Sequence, residues 1–162
     1  SRRFGYQQPQ APKKPLSNFK SLSNMAVMHY LGLDVGAVRI GVAHGDSTVS
    51  IAAPLGALAV DGNELVAIGD YIEQYAIDTI VVGYPRNQAG ETTQQTKYVE
   101  EFVRRLQAVI STPVVFQDES LTSVAAETYL EQSGKPFAKG DVDARAAAII
   151  LSDYLELHRV VS

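Results

Sequence analysis

The stretch Leu31-Gly32-Leu33-Asp34-Val35-Gly36-Ala37-Val38-Arg39-Ile40-Gly41-Val42-Ala43 decides the fold. Two apolar segments, His29 to Asp34 and Arg39 to His44, flank a turn at Gly36, the pattern of two strands joined by a short glycine-containing hairpin. A third segment, Ser50 to Leu55, ends near Pro54 and Gly56, so an antiparallel three-strand meander is expected. The first strand closes on an acid. A carboxylate at the end of an apolar strand is costly to bury without a partner. An Asp close before Gly can equally do no more than shape the turn as an Asx-type acceptor. The fragment alone leaves both readings open.

Downstream, the periodicity changes. Asp61 with Glu64 three residues on resembles a helix start, and Leu65, Ile68, Ile72 and Tyr75 follow at helical spacing. Thr79 to Gly83 is a β-branched run suited to a buried strand. Thr92 and Gln95 form a second capping-box pattern before the stripe Val99, Phe102, Val103, Leu106, Val109 and Ile110, which Pro113 closes. Val114 to Phe116 opens a strand finishing at Gln117, Asp118 and Glu119, after which Thr122 or Ser123 can cap a helix ending at Gly134. Asp141 is placed to cap a last helix whose Ala144, Ala147, Ala148, Leu151 and Leu155 supply a small-residue packing face. This order predicts an α/β fold: a five-stranded mixed sheet, a meander plus parallel strands reached through helical crossovers, flanked by helices. Sites in such sheets collect beyond the carboxyl ends of the parallel strands, where Asp34 and Glu119 both fall.

The 162 residues, 46% of them hydrophobic, suffice for one domain with a core. No segment approaches the roughly 18 unbroken apolar residues of a membrane span, and no apolar run with a small-residue cleavage site opens the chain. A cytoplasmic protein without membrane attachment is the expectation. With no cysteine, any metal must be held by oxygen or imidazole, and His29, His44 and His158 form no spaced ligand pair. Of the 14 basic and 18 acidic residues, five basic and no acidic ones lie in residues 1–28, which leaves nine against eighteen for residues 29–162. Residues 1–28, rich in Gln, Pro, Ser, Asn and Lys, read as a disordered basic extension ahead of the domain at 29–162. The acidic balance of that domain weighs against a broad nucleic-acid face, so phosphate must be met by a local patch, the extension or bound cations.

Three acids are the candidate chemistry. Asp118 and Glu119 point to opposite faces of their strand, so only one can join Asp34, and the sequence does not choose. Either could instead serve the following helix, as Asp143 could serve the first turn of the last one. Acids converging from separate elements can hold two divalent ions about 4 Å apart, one activating water and the other stabilising the leaving oxygen.

The segments LGLDVGAVRIGVA (31–43), VVGYPRNQAGE (81–91), DESLTSVAAE (118–127) and KGDVDARAAAIIL (139–151) resemble, in this order, the motifs of the YqgF/RuvX family, Holliday junction resolvase-like proteins described as pre-16S ribosomal RNA nucleases. The resemblance implies a ribonuclease H-like fold, cytoplasmic location and maturation of the 5′ end of 16S ribosomal RNA. It matches the family's catalytic and metal-holding acids to Asp34, Glu119 and Asp143, with Mg2+ or Mn2+ as the expected two-metal cofactor, and Gly83, Pro85 and Gly90 to its substrate-side loop. The chain departs from the family at Ser120, where Arg is common, and at Tyr84, where an aliphatic residue is common. Arg39, Arg86 and Lys139 are the expected phosphate contacts, the alternative for each being solvated surface charge. Expected partners are RNA, as pre-16S rRNA in pre-ribosomal particles, with branched DNA or a non-catalytic assembly role as alternatives, and a monomer or weak homodimer as the state. The Asp-x-Gly hairpin also opens the phosphate-binding half of actin-like ATPases and sugar kinases, but those need a second lobe for which this chain has no room.

Overall fold

The computed structural model describes residues 26–87, 89–119 and 122–159, without the side chains of 122–124. The extension expected over residues 1–28 lies outside the described residues except for 26–28, as does Ser120. Five strands, β1 (His29–Val35), β2 (Arg39–Asp46), β3 (Ala53–Ala59), β4 (Thr79–Pro85) and β5 (Val114–Glu119), alternate with helices α1 (Glu64–Gln74), α2 (Gln94–Gln107), α3 (Thr122–Gln132) and α4 (Lys139–Leu157). They form one sheet in the order β3-β2-β1-β4-β5. β1 to β3 pair antiparallel, and β4 and β5 continue from β1 in parallel, as the sequence order predicts.

Pleat alternation splits the sheet between two cores. Leu31, Leu33 and Val35 of β1, Ile40 and Val42 of β2, and Ile80 and Val82 of β4 pack with Ile68 of α1 and Val99, Phe102, Val103 and Leu106 of α2. Ala43 and Val81 face the other way, onto Ala147, Ala148, Ile150, Leu151 and Leu155 of α4.

Several local expectations shift. β3 begins at Ala53 rather than Ser50 and runs through Pro54 and Gly56 to Ala59. An edge strand tolerates proline, and Gly56, at φ +155°, sits opposite Val42 where the register slips by a bulge between Val42 and Ala43. The Asp61 to Glu64 pattern is not a capping box. Asn63 precedes the helix without a side-chain cap, and the Glu64 carboxylate turns back to accept the amides of Asp61 (3.1 Å) and Gly62 (2.7 Å). The second box forms one residue later than expected, between Thr93 and Thr96, whose hydroxyl also reaches the Pro85 carbonyl. That helix stops at Gln107, leaving Val109 exposed. Asp141 does cap α4, from inside: its carboxylate accepts the amide of Ala138 at 2.9 Å.

Candidate active site

Asp34 is the sixth residue of β1 and faces α4, because Leu33 and Val35 on either side of it face the opposite core. Its cross-strand partner in β2 is Gly41. On its other side, one step beyond the Leu33–Val82 pair, lies Gly83. A Cβ at Gly41 would stand 1.9 Å from the carbonyl oxygen of Asp143, so the first turns of α4 rest directly on the β2 backbone. A Cβ at Gly83 would stand 2.9 Å from Oε2 of Glu119 and 2.6 Å from Cδ1 of Ile150. The two glycines therefore make room for what flanks Asp34: the backbone of Asp143 on one side and the carboxylate of Glu119 on the other.

The electrostatics report the same convergence. The Asp34 carboxyl is pushed up to about 7, first by burial and then by the negative charges of Glu119 and Asp143. Three acids from β1, β5 and α4 thus share one rim of the sheet. The choice left open between Asp118 and Glu119 is settled by the pleat: Glu119 faces Asp34, whereas Asp118 faces away and accepts from Nε of Arg86 at 3.1 Å. Asp143 is itself engaged, its Oδ2 accepting a short hydrogen bond from Nε of Arg39. Hairpin geometry sets this up, since Arg39 opens β2 directly after the 36–38 turn, which is closed by the Gly36 amide on the Arg39 carbonyl at 3.0 Å.

The other expected basic contacts stand in different places. Lys139 is exposed at the first position of α4, one turn before Asp143. Arg86 is held on the opposite face by Asp118 and by the Gly90 carbonyl at 3.4 Å, its guanidinium 4.8 Å from the centre of the Tyr84 ring. Among the described residues, no three His, Asp or Glu side chains are grouped closely enough to hold an ion as they stand. The donor set nevertheless suits a hard divalent cation. It is all carboxylate, and the Asp34 carboxyl, raised to about 7 by burial and then by its two acidic neighbours, is the kind of group that a bound cation would return to its charged form. Sequence reasoning missed Gly41 as a site residue; its signal was a glycine within an apolar strand segment directly across the hairpin from the acid.

This sheet order with acids gathered at one rim defines a class, the ribonuclease H-like fold. The solved Thermus thermophilus RuvC in complex with Holliday junction substrate shares it with a TM-score of 0.51, at 15% identity over 80% of this chain and 94% of that one. The family profile described as "RuvX: Holliday junction resolvase" matches residues 28–157. The chain is also 43% identical over 133 residues to a "Putative pre-16S rRNA nuclease" of Chloroflexus aggregans, covering 80% of this chain and 94% of the relative. It is 38% identical over 137 residues to one of Gloeobacter violaceus, covering 83% and 88%. The chain belongs to the RuvX family of nucleases. Among the described residues no helix is long and apolar enough to cross a membrane.

Proposed function

We propose that the chain is a metal-dependent phosphodiester endonuclease of the cytoplasm that trims the 5′ end of pre-16S ribosomal RNA within pre-ribosomal particles. The observation that carries this reading is the buried Asp34 carboxyl, raised to about 7 in front of Glu119 and Asp143. Asp34, Glu119 and Asp143 are the residues that would hold Mg2+ or Mn2+. When bound, such a pair supplies an activated water and a Lewis acid for the leaving oxygen.

The protein's own groups do the rest. Asp34 is fixed at a strand end, and the glycines on either side of it let the Asp143 backbone and the Glu119 carboxylate close in around it. Arg39 holds Asp143 through its Nε, and Lys139 lies one turn away from Asp143. These two are the phosphate contacts we favour, while Arg86 is committed to Asp118. The basic segment at residues 1–28 adds a sequence-independent attraction to the acidic domain that follows. The relatives' names support RNA as substrate, and the family's description keeps branched DNA as the second reading.

Cleavage of a pre-16S 5′ leader and of a four-way DNA junction, each with magnesium, manganese or chelator, tests the proposal. RNA cleavage that requires a divalent cation and falls by more than about a hundredfold in Asp34→Asn is expected, since even outer-shell partners of metal ligands are worth 10- to 100-fold. Junction cleavage alone would move the substrate to DNA. Cleavage of neither, with RNA still bound, would leave a binding factor for ribosome assembly.

A further inference from the structure

The face of β4 and β5 turned away from the acids carries an aromatic pair that the apolar cores do not use. Phe116 is 42% exposed on β5, the edge strand of the sheet, and neither it nor Tyr84 belongs to either core cluster. Their rings meet edge to face, with centroids 4.9 Å apart at 61°. The Arg86 guanidinium lies over the Tyr84 ring at 4.8 Å. Each part is held without a ligand. The Tyr84 hydroxyl donates to Glu100 at 2.7 Å, and Asp118 and the Gly90 carbonyl hold Arg86. Above them opens a cavity of about 460 Å³, within the size range of pockets that take small planar ligands.

We propose that Tyr84, Phe116 and Arg86 form a stacking ledge for one or two unpaired bases of a single-stranded nucleic acid beside the carboxylate rim. The proposal rests on the nuclease reading and deepens it by naming the form of the substrate. Glu100 and Asp118 outnumber Arg86 in this groove, so it repels phosphate. It offers instead π-faces, which any base can use, and carboxylate oxygens that accept from exocyclic amino groups. A paired duplex hides its base faces, so only a single strand or a frayed end can use such a ledge. Continuity with the rim is set by register: Tyr84 pairs with Asp118 and Pro85 with Glu119, so the ledge begins one residue from the catalytic candidate. A strand that crosses the β5 edge passes from one to the other. An exposed Phe on an edge strand could instead be a protein-docking edge, and the experiment separates the two.

The full chain carrying Asp34→Asn, to prevent cleavage, is titrated in magnesium against labelled RNA of about ten nucleotides, a length in the range of single-strand binding sites, and against an abasic strand of equal length. The base-bearing strand is expected to bind about tenfold more tightly. Phe116→Ala should remove that preference without changing the salt dependence, and Phe116→Tyr should keep it. Partial exposure of Phe116 predicts a folded variant, verified by its melting temperature. An unchanged preference in Phe116→Ala overturns the ledge and leaves the nuclease reading standing, as does a change in oligomeric state with no change in binding. Absence of both binding and cleavage of any nucleic acid in the unmodified chain would remove the nuclease reading itself.

Discussion

On the face covered by α1 and α2, the sheet presents Leu31, Leu33, Ile40, Val42, Ile80 and Val82 to Phe102, Leu106 and Ile68. On the face covered by α4 it presents glycine at 32, 41, 45 and 83, the first two met by the backbone of Ala147, Asp143 and Ala144 and the others by the side chains of Leu155 and Ile150. Bulky branched side chains keep helices at a distance and fill the gap with apolar volume, which stabilises the fold. Small residues let a helix backbone settle onto the strands, which brings the groups near its N-terminus within reach of a strand end. The first face holds the sheet in register; the second aims Asp143 and Glu119 at Asp34. The geometry of the candidate site is a product of missing side chains.

The largest expected effect comes from filling the second face. Gly41→Ala places a Cβ against the Asp143 carbonyl, backbone that cannot swing aside. It should destabilise by more than the about 3 kcal/mol that marks the upper range of ordinary overpacking. RNA cleavage should fall with it, as read by denaturant unfolding and a cleavage assay at low temperature. If the variant keeps wild-type stability and cleavage, α4 does not seat as described and the contrast between faces fails.

Hollowing the first face should cost about 3 to 4 kcal/mol, the range for truncating a buried aromatic, with a different signature. Phe102→Ala removes a ring that is 1% exposed on the face remote from the acids. The molecules that remain folded should cleave at the wild-type rate. A fall in turnover matching that of Gly41→Ala would show that the two faces do not divide stability from site geometry.

The smallest effect sharpens the comparison by titration. Asp34 holds a proton in the folded chain up to about pH 7, whereas the unfolded chain releases it near 4. In chelator, this group's contribution to stability is therefore fully present below pH 4 and lost as pH rises through 7, with a slope of at most about 1.4 kcal/mol per unit. Asp46 and Glu64, whose carboxyls are held low chiefly by hydrogen bonds to Thr48 and to backbone amides respectively, drive the opposite trend. The quantity to measure is thus the difference between Asp34→Asn and wild type, and the variant should gain relative stability from pH 4 to 7. Magnesium at pH 8 should raise the melting temperature of wild type more than that of Asp34→Asn. A flat difference curve would mean that the three acids do not repel one another at the rim.

Much was legible in the chain before any coordinates. The element order, the meander, the parallel extension and the strand-end placement of Asp34 and Glu119 follow from the apolar period, which changes from two to nearly four, and from glycine and proline at the turns. Those signals act over a few residues, and the pleat and the helical turn translate them directly into shape. Cap positions and the start of β3 drifted by one to three residues, because the competing candidates Thr92 and Thr93, or Ser50 and Ala53, differ locally by little and are chosen by what each end packs against.

The family motif already pointed to Glu119 over Asp118, but only the tertiary structure decided how Glu119 faces Asp34, that Arg39 pairs with Asp143 and that Arg86 turns to the other side. Those outcomes depend on sheet order and on the seating of α4, which join residues from 32 to 104 positions apart. No local pattern carries that distance, because the strand that faces an acid is selected by the burial of every other strand at once.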